Sequence, residues 1–109
     1  MRNAVTPPAN IYEASGHLRV ATPIPGAQAP HTRVVVRPDR IQVEAECKYS
    51  QDEQHYLRRD WQVGAWHLYL TLPRRIDPGA AHATLRHGVL MVMAPISEGG
   101  QGEARPTVE

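Results

Sequence analysis

The feature that most restricts the fold of this chain is an alternation of apolar and polar residues with a period of two. It is clearest where Ile41, Val43 and Ala45 alternate with polar residues, and residues 66–72 repeat it. A period of two places successive side chains on opposite faces of a β-strand. No window carries apolar residues at helical spacing for three turns, and ten prolines interrupt the chain. The sequence therefore predicts an all-β fold.

Short runs separated by frequent turns are typical of a β-sandwich. We expect an immunoglobulin-like sandwich of seven to eight antiparallel strands. The predicted strands are residues 11–14, 17–23, 33–36, 41–46, 56–60, 65–72, 81–86 and 89–94. We divide the chain into a short N-terminal arm (residues 1–8), one β-domain (residues 9–96) and a tail (residues 97–109). The tail is polar and rich in glycine, so we expect it to be flexible.

The stretch ATLRHGVL, residues 83–90, predicts a tight β-hairpin. His87 and Gly88 would form a two-residue type I′ turn, which needs positive φ at both positions. Gly88 adopts positive φ freely, and histidine is among the few other residues enriched there. In this register Leu85 faces Leu90, so one side of the hairpin is apolar and belongs to the core.

The same stretch carries a family resemblance, because Ala83, Gly88, Val89 and Leu90 reproduce the AxxxxGVL signature of the alpha-crystallin domain. The chain therefore resembles the small heat shock proteins. Three segments extend the resemblance in order: NIYEASGHLRVATPIPGA (residues 10–27), RIQVEAE (residues 40–46) and HYLRRDWQVGAWHLYLTLP (residues 55–73). Together they span about residues 8–96. One departure is Leu68, which stands where the family usually has an arginine in an ion-pair network near the dimer interface.

The resemblance implies an ATP-independent chaperone that binds partly unfolded proteins and limits their aggregation as a homodimer. It implies an edge groove that accepts an apolar tail segment, formed here by Val34, Val36, Ala83 and Leu85. It also implies that a loop of one subunit pairs with the first strand of the other. The residues assigned to this strand exchange are Tyr56, Arg58, Arg59 and Trp61 in the loop, and Ile11 and Glu13 in the strand.

The final strand has an apolar outer face. If Leu90 points into the core, then Val89, Met91 and Met93 point outward, and methionine suits surfaces that bind varied partners. We interpret these three residues as a client patch. The alternative is that a terminus or a dimer mate covers this face.

The tail offers a single apolar anchor, Val108, where the family's large assemblies use two branched apolar residues spaced by one. One such side chain contributes about 1.5–3 kcal/mol, less than the 4 kcal/mol or more lost on immobilising a dimer. We therefore expect a dimer whose groove stays open to the tails of other small heat shock proteins.

Motifs for catalysis or for a cofactor are lacking in the sequence. The histidines have no metal-ligand spacing; they are His17, His31, His55, His67, His82 and His87. Ser15 and His17 lack the positioned acid that a catalytic triad needs. We interpret Cys47 as a small apolar residue and not as a reactive thiol. The glycines form no nucleotide-binding motif. We expect no metal, no cofactor and no enzymatic activity.

Net charge and hydropathy limit the kinds of partner and the cellular location that we expect. The net charge is +1, too close to balance to attract nucleic acid by charge alone. No stretch resembles a signal peptide or a membrane span, so we expect a cytoplasmic protein. Two alternatives stay open: a CS-domain co-chaperone, which shares the sandwich without strand exchange, and an RNA-binding β-domain that uses Arg33, Arg37, Arg58 and Arg59.

Overall fold

The computed structural model describes residues 4–47, 54–60 and 64–109. The described residues form seven strands and one short 3-10 helix, Pro78–Ala80. The strands are β1 (Asn10–Ala14), β2 (His17–Pro23), β3 (Ala27–Arg37), β4 (Arg40–Cys47), β5 (Trp66–Thr71), β6 (His82–Arg86) and β7 (Val89–Pro95). Within these ranges no helix has the length and apolar character needed to cross a membrane.

The strands form two antiparallel sheets that pack face to face. One sheet has the order β1-β2-β7-β6 and the other β3-β4-β5. The core lies between them, where Val20 and Val92 from the first sheet and Ile41, Val43 and Leu68 from the second are almost fully buried. The predicted all-β sandwich and the inward set of the alternating residues are confirmed.

The predicted hairpin turn joins β6 to β7. His87 has φ 54° and Gly88 has φ 76°, as a type I′ turn requires. Leu85 pairs with Leu90, as the sequence predicts. A second turn of the same form, at Ser15 and Gly16, joins β1 to β2.

The Pro25–Gly26 turn links the two sheets at one corner. The indole Nε1 of Trp66 donates a hydrogen bond to the Pro25 carbonyl at 3.0 Å. Gly26 has φ 87°, and a Cβ atom there would lie 2.6 Å from the sulfur of Cys47. The backbone conformation therefore favours glycine, and any other residue here would also force the side chain of Cys47 to move.

The structure differs from the predicted strands in two places. β3 begins at Ala27, six residues before the predicted start, and its register shifts between Ala27 and Thr32. Such an irregularity on an edge strand accommodates Pro30. Residues 54–60 form no strand, so the predicted strand 56–60 is wrong for the single chain. A strand needs a neighbouring backbone, and the predicted neighbour belongs to a second subunit.

The N-terminal arm packs along one side of the sandwich. Val5 forms a parallel bridge with Trp66 at the edge of β5, with its N–H donating to the Ala65 carbonyl at 2.7 Å. Pro7 is buried, and the hydroxyl of Thr22 donates to the Pro8 carbonyl at 2.7 Å. The arm therefore extends the smaller sheet at β5.

Replacing Gly88 by valine tests the importance of the turn. We expect Gly88→Val to lower stability by about 1–3 kcal/mol, because a β-branched residue is strained at positive φ. Thermal unfolding should shift down by at least about 4 °C. Gly88→Asn is the matched control, since asparagine tolerates this conformation, and it should unfold close to the wild-type temperature. Equal unfolding of Gly88→Val and wild type would contradict the role given to the turn.

Candidate interaction surfaces

The predicted edge groove lies between β3 and β6, which are edge strands of the two sheets on the same side of the sandwich. Val34, Val36 and Ala83 are buried, and Leu85 is partly buried against the core. The structure therefore brings the four predicted groove residues together. The backbones of Val36, Ala83 and Leu85, however, already form hydrogen bonds within the chain.

The groove is occupied by the tail of the same chain. Ala104 forms an antiparallel bridge with Val36, with N···O distances of 2.8 and 2.9 Å. At the other edge, Leu85 donates to the Glu109 carbonyl at 2.8 Å, and Glu109 donates to the Ala83 carbonyl at 3.0 Å. The side chain of Val108 is only 8% exposed. The expected open groove and flexible tail therefore both differ from the structure, because the two edges offer unpaired backbone groups that the tail satisfies.

An ion-pair cluster holds the start of the groove-bound segment. Arg37 contacts the carboxylate of Glu103 at 2.8 Å, and Arg105 contacts it at 3.3 Å. Hydrogen bonds from Arg37 and Arg105 lower the pKa of Glu103 below its usual value of 4.5. A carboxylate with a lowered pKa stabilises the fold above its usual pKa, and that contribution is lost as pH falls through the folded-state value.

A second attachment lies just after β7. The N–H of Ser97 donates to the Arg75 carbonyl at 2.8 Å, and the Arg75 side chain donates to the Gly100 carbonyl at 3.1 Å. Gly100 is buried, and a Cβ atom there would lie 2.0 Å from the Ile76 carbonyl oxygen. No side chain fits that space, so Gly100 sets the direction in which the tail leaves the sandwich.

Between its two bridges the tail arches over a cavity of about 600 Å³. Arg105, Pro106 and Thr107 form one wall, and outward residues of β3 and β4, including Val35 and Gln42, form the other. The tail therefore contacts the groove closely at Ala104 and Val108 and leaves space between them.

The residues predicted for strand exchange lie at a free strand edge and in the segment 54–60. No strand among the described residues pairs with the outer edge of β1, which carries Ile11 and Glu13. Glu13 contacts Arg74 of its own chain at 2.7 Å. These side chains are about half exposed, and exposed pairs of this kind contribute little to stability.

The segment 54–60 exposes apolar surface. Leu57 is 94% exposed. Arg58 contacts Asp60 at 2.8 Å, and the guanidinium of Arg59 lies 5.0 Å from the ring centre of Tyr56. Trp61 lies outside the described residues. The exchange of a strand between subunits stays a prediction, because the structure contains a single chain.

The residues of the predicted client patch lie on the outer face of the larger sheet. Val89 is exposed, while Met91 and Met93 are partly buried between buried inward neighbours. Met93 pairs with Arg19, and Arg19 pairs with Tyr12. Arg19 has a buried Nε atom with no hydrogen-bond partner among the described residues. We call the outward residues Tyr12, Arg19, Val89, Met91 and Met93 the outer patch.

Arg19 and Tyr12 were missing from the sequence prediction. The alternation on each strand gives the direction of a side chain but not which residues of other strands lie beside it. A two-residue turn at Ser15 and Gly16 fixes the register of the hairpin and pairs Tyr12 with Arg19. Recognising that turn in the sequence would have placed these two residues side by side.

Leu68 is buried on the inner face of β5. A charged arginine would be costly there without a partner. The next residue, Tyr69, points outward and accepts a hydrogen bond from Arg40. In the part of the chain that the structure describes, no group of three or more histidine, cysteine, aspartate or glutamate residues could hold a metal ion.

A seven-stranded sandwich with an edge groove filled by an extended tail defines an alpha-crystallin-type domain. The model of the Hsp20/alpha crystallin family matches residues 10–108. The chain belongs to this family, the small heat shock proteins, which are non-enzymatic chaperones that bind unfolded clients and are typically oligomeric. No curated protein sequence shows significant similarity to the chain.

Solved structures give the same fold. Heat shock protein 16.0 from Schizosaccharomyces pombe is 20% identical with a TM-score of 0.71, and the match covers 90% of this chain and 93% of that one. The hspA protein from Xanthomonas axonopodis is 22% identical with a TM-score of 0.73, over 84% and 94% of the two chains. HSP18.5 from E. histolytica is 13% identical with a TM-score of 0.72, over 89% and 93%.

Replacing Gly100 by alanine tests the attachment of the tail. We expect Gly100→Ala to lower stability by about 1–3 kcal/mol, because the added methyl group forces the backbone near Ile76 to move. Gly99→Ala is the matched control, since a Cβ atom at Gly99 meets nothing within 4 Å. The measurement is the thermal unfolding temperature of the two variants, and we expect that of Gly100→Ala to be the lower. A Gly100→Ala protein as stable as Gly99→Ala would mean that this attachment does not constrain the tail.

Proposed function

We propose that this protein is an ATP-independent holdase that binds partly unfolded proteins in the cytoplasm and slows their aggregation. The single observation that carries the proposal is the outer patch. It places two methionines and a tyrosine around an arginine on a regular sheet face. Methionine, tyrosine and arginine are enriched where proteins contact one another, and methionine adapts its shape to different partners.

The environment of Arg19 supports this role for the outer patch. Its Nε atom is buried without a hydrogen-bond partner among the described residues. The neighbouring side chains of the outer patch therefore cover part of this guanidinium, and their apolar surface suits contact with exposed segments of an unfolded polypeptide.

The aggregation assay tests the holdase proposal directly. We expect the protein to reduce light scattering by heat-denatured citrate synthase without ATP. Bovine serum albumin at equal mass is the control for a general crowding effect. Scattering that does not change at several-fold molar excess of the protein would contradict the proposal.

The outer patch is tested by replacing both of its methionines. Met91→Thr together with Met93→Thr should weaken suppression of aggregation and change stability by less than about 0.5 kcal/mol for each outward residue. Tyr69→Thr is the control, because Tyr69 lies on the outer face of the other sheet and is half exposed. If only the Tyr69→Thr control lost activity, clients would bind the outer face of the smaller sheet, and the role given to the outer patch would be wrong. A large fall in unfolding temperature of the double variant would show that the methionines act as core residues.

We further propose that the holdase is a homodimer formed at the outer edge of β1. Ala14 and His17 flank the two-residue turn, so their backbones exchange hydrogen bonds with each other. Backbone N–H groups alternate in direction along an antiparallel strand, so those of Ile11 and Glu13 point away from β2. Unpaired edge groups of this kind accept an added strand. The exposed Leu57 on the segment 54–60 gains burial in such a pairing.

Replacing Glu13 by proline tests this dimer. Light scattering coupled to size-exclusion chromatography should give about twice the chain mass of 12.1 kDa for the wild type. Glu13→Pro removes an outward donor and should shift the protein toward the monomer, because edge strands tolerate proline at such positions. Glu13→Ala removes the same carboxylate but keeps the N–H, so it should remain a dimer. A wild-type monomer would refute the exchange and favour a co-chaperone of the CS-domain type.

The paired arginines weigh against the RNA-binding alternative. Arg33 contacts Glu44 at 3.1 Å, Arg37 contacts Glu103, and Arg58 contacts Asp60. The carboxylates offset much of the positive charge that a phosphate backbone would need.

A further inference from the structure

The chain closes its own edge groove, and the manner of closure points to a regulatory role. The segment 103–109, which we call the plug, satisfies backbone groups of both edge strands, at Val36 on β3 and at Ala83 and Leu85 on β6. Only one of its side chains, that of Val108, is buried. The plug therefore depends on backbone hydrogen bonds and one apolar anchor.

The fit of the plug is incomplete in its middle part. Arg105, Pro106 and Thr107 arch over the cavity of about 600 Å³ and leave the outward face of β3 uncovered. Empty space between the two bridges means that dispersion contacts are missing there. Arg105 and Thr107 are exposed, so opening the plug would cost little in lost side-chain burial at these positions.

The ion pairs at Glu103 act at the same end as the bridge to Val36. Arg37 and Arg105 both contact the Glu103 carboxylate, and all three side chains are at least one third exposed. Exposed ion pairs contribute little in water and weaken with salt. This end of the plug is therefore closed by contacts that can be broken without unfolding the sandwich.

We propose that the plug is an intramolecular competitor that keeps the edge groove closed to other extended chains and opens locally without global unfolding. A tail tethered by a short linker has an effective concentration on the order of 1 mM at its own groove. An external strand of similar affinity must reach that concentration before it replaces the plug. The groove therefore accepts only strands that bind better than residues 103–109, or it accepts others after the plug is released.

The test uses a synthetic peptide of residues 103–109, EARPTVE, titrated into isotopically labelled protein and followed by NMR at the Leu85 and Val36 amides. No client protein takes part, so a failed holdase assay leaves the result unaffected. A chain ending at Gly102 should bind the peptide. The whole chain should bind it about tenfold more weakly or not at all, if the open groove has a Kd of about 0.1 mM.

Two full-length variants separate opening of the plug from loss of the fold. Val108→Asp places a charge in the groove and should bind the peptide as the shortened chain does. Gln101→Asp adds the same charge at an exposed tail position outside the groove and should behave as the wild type. Equal binding by the whole and the shortened chains, or no binding by the shortened chain, would overturn the proposal.

Hydrogen exchange on the wild-type protein gives an independent measurement if the variants are unstable. Under conditions where exchange reports opening equilibria, the Leu85 and Ala104 amides should exchange at least tenfold faster than amides in the centre of β4. Equal rates at the two places would show that the plug opens only when the whole domain unfolds, and the proposal would then be wrong.

Discussion

Unpaired strand edges are the constraint on which the rest of this structure depends. A sandwich of a four-stranded and a three-stranded sheet leaves backbone N–H and C=O groups exposed at both sides. The chain satisfies one side with the tail, at Val36 and Leu85, and extends β5 with the N-terminal arm at Val5. Among the described residues no strand pairs with the outer edge of β1, where we propose that a second subunit binds, so the treatment of the edges links the fold to assembly.

Closure of the groove also connects stability with binding. The hydrogen bonds that the tail makes are the ones an incoming strand would make, so occupancy by the tail and binding of a partner exclude each other. Gly100 directs the tail toward the groove because its backbone lies against the Ile76 carbonyl, where no side chain fits. The outer patch lies on the face of the larger sheet, so the client contact that we propose at Met91 and Met93 does not require the plug to open.

The limits of the sequence prediction follow from the range of the interactions involved. Alternation and turn geometry are local, and they correctly gave the inward residues of β4 and the register of the β6–β7 hairpin. Glycine content and polarity gave a flexible tail, because composition reports how much apolar surface a segment can bury. The tail binds chiefly through backbone hydrogen bonds, which do not depend on the types of side chain in the segment. Its pairing with Val36 and Ala83 was therefore not predicted from composition.

By itself the sequence determined the all-β sandwich, its family and the direction of the side chains along each strand, since a period of two and positive φ at a two-residue turn admit few other structures. The tertiary structure decided what fills the groove and which residues surround Arg19. These outcomes depend on contacts between segments far apart in the chain, such as Ala104 with Val36. Their register is fixed only when the two sheets pack and bring the edges together.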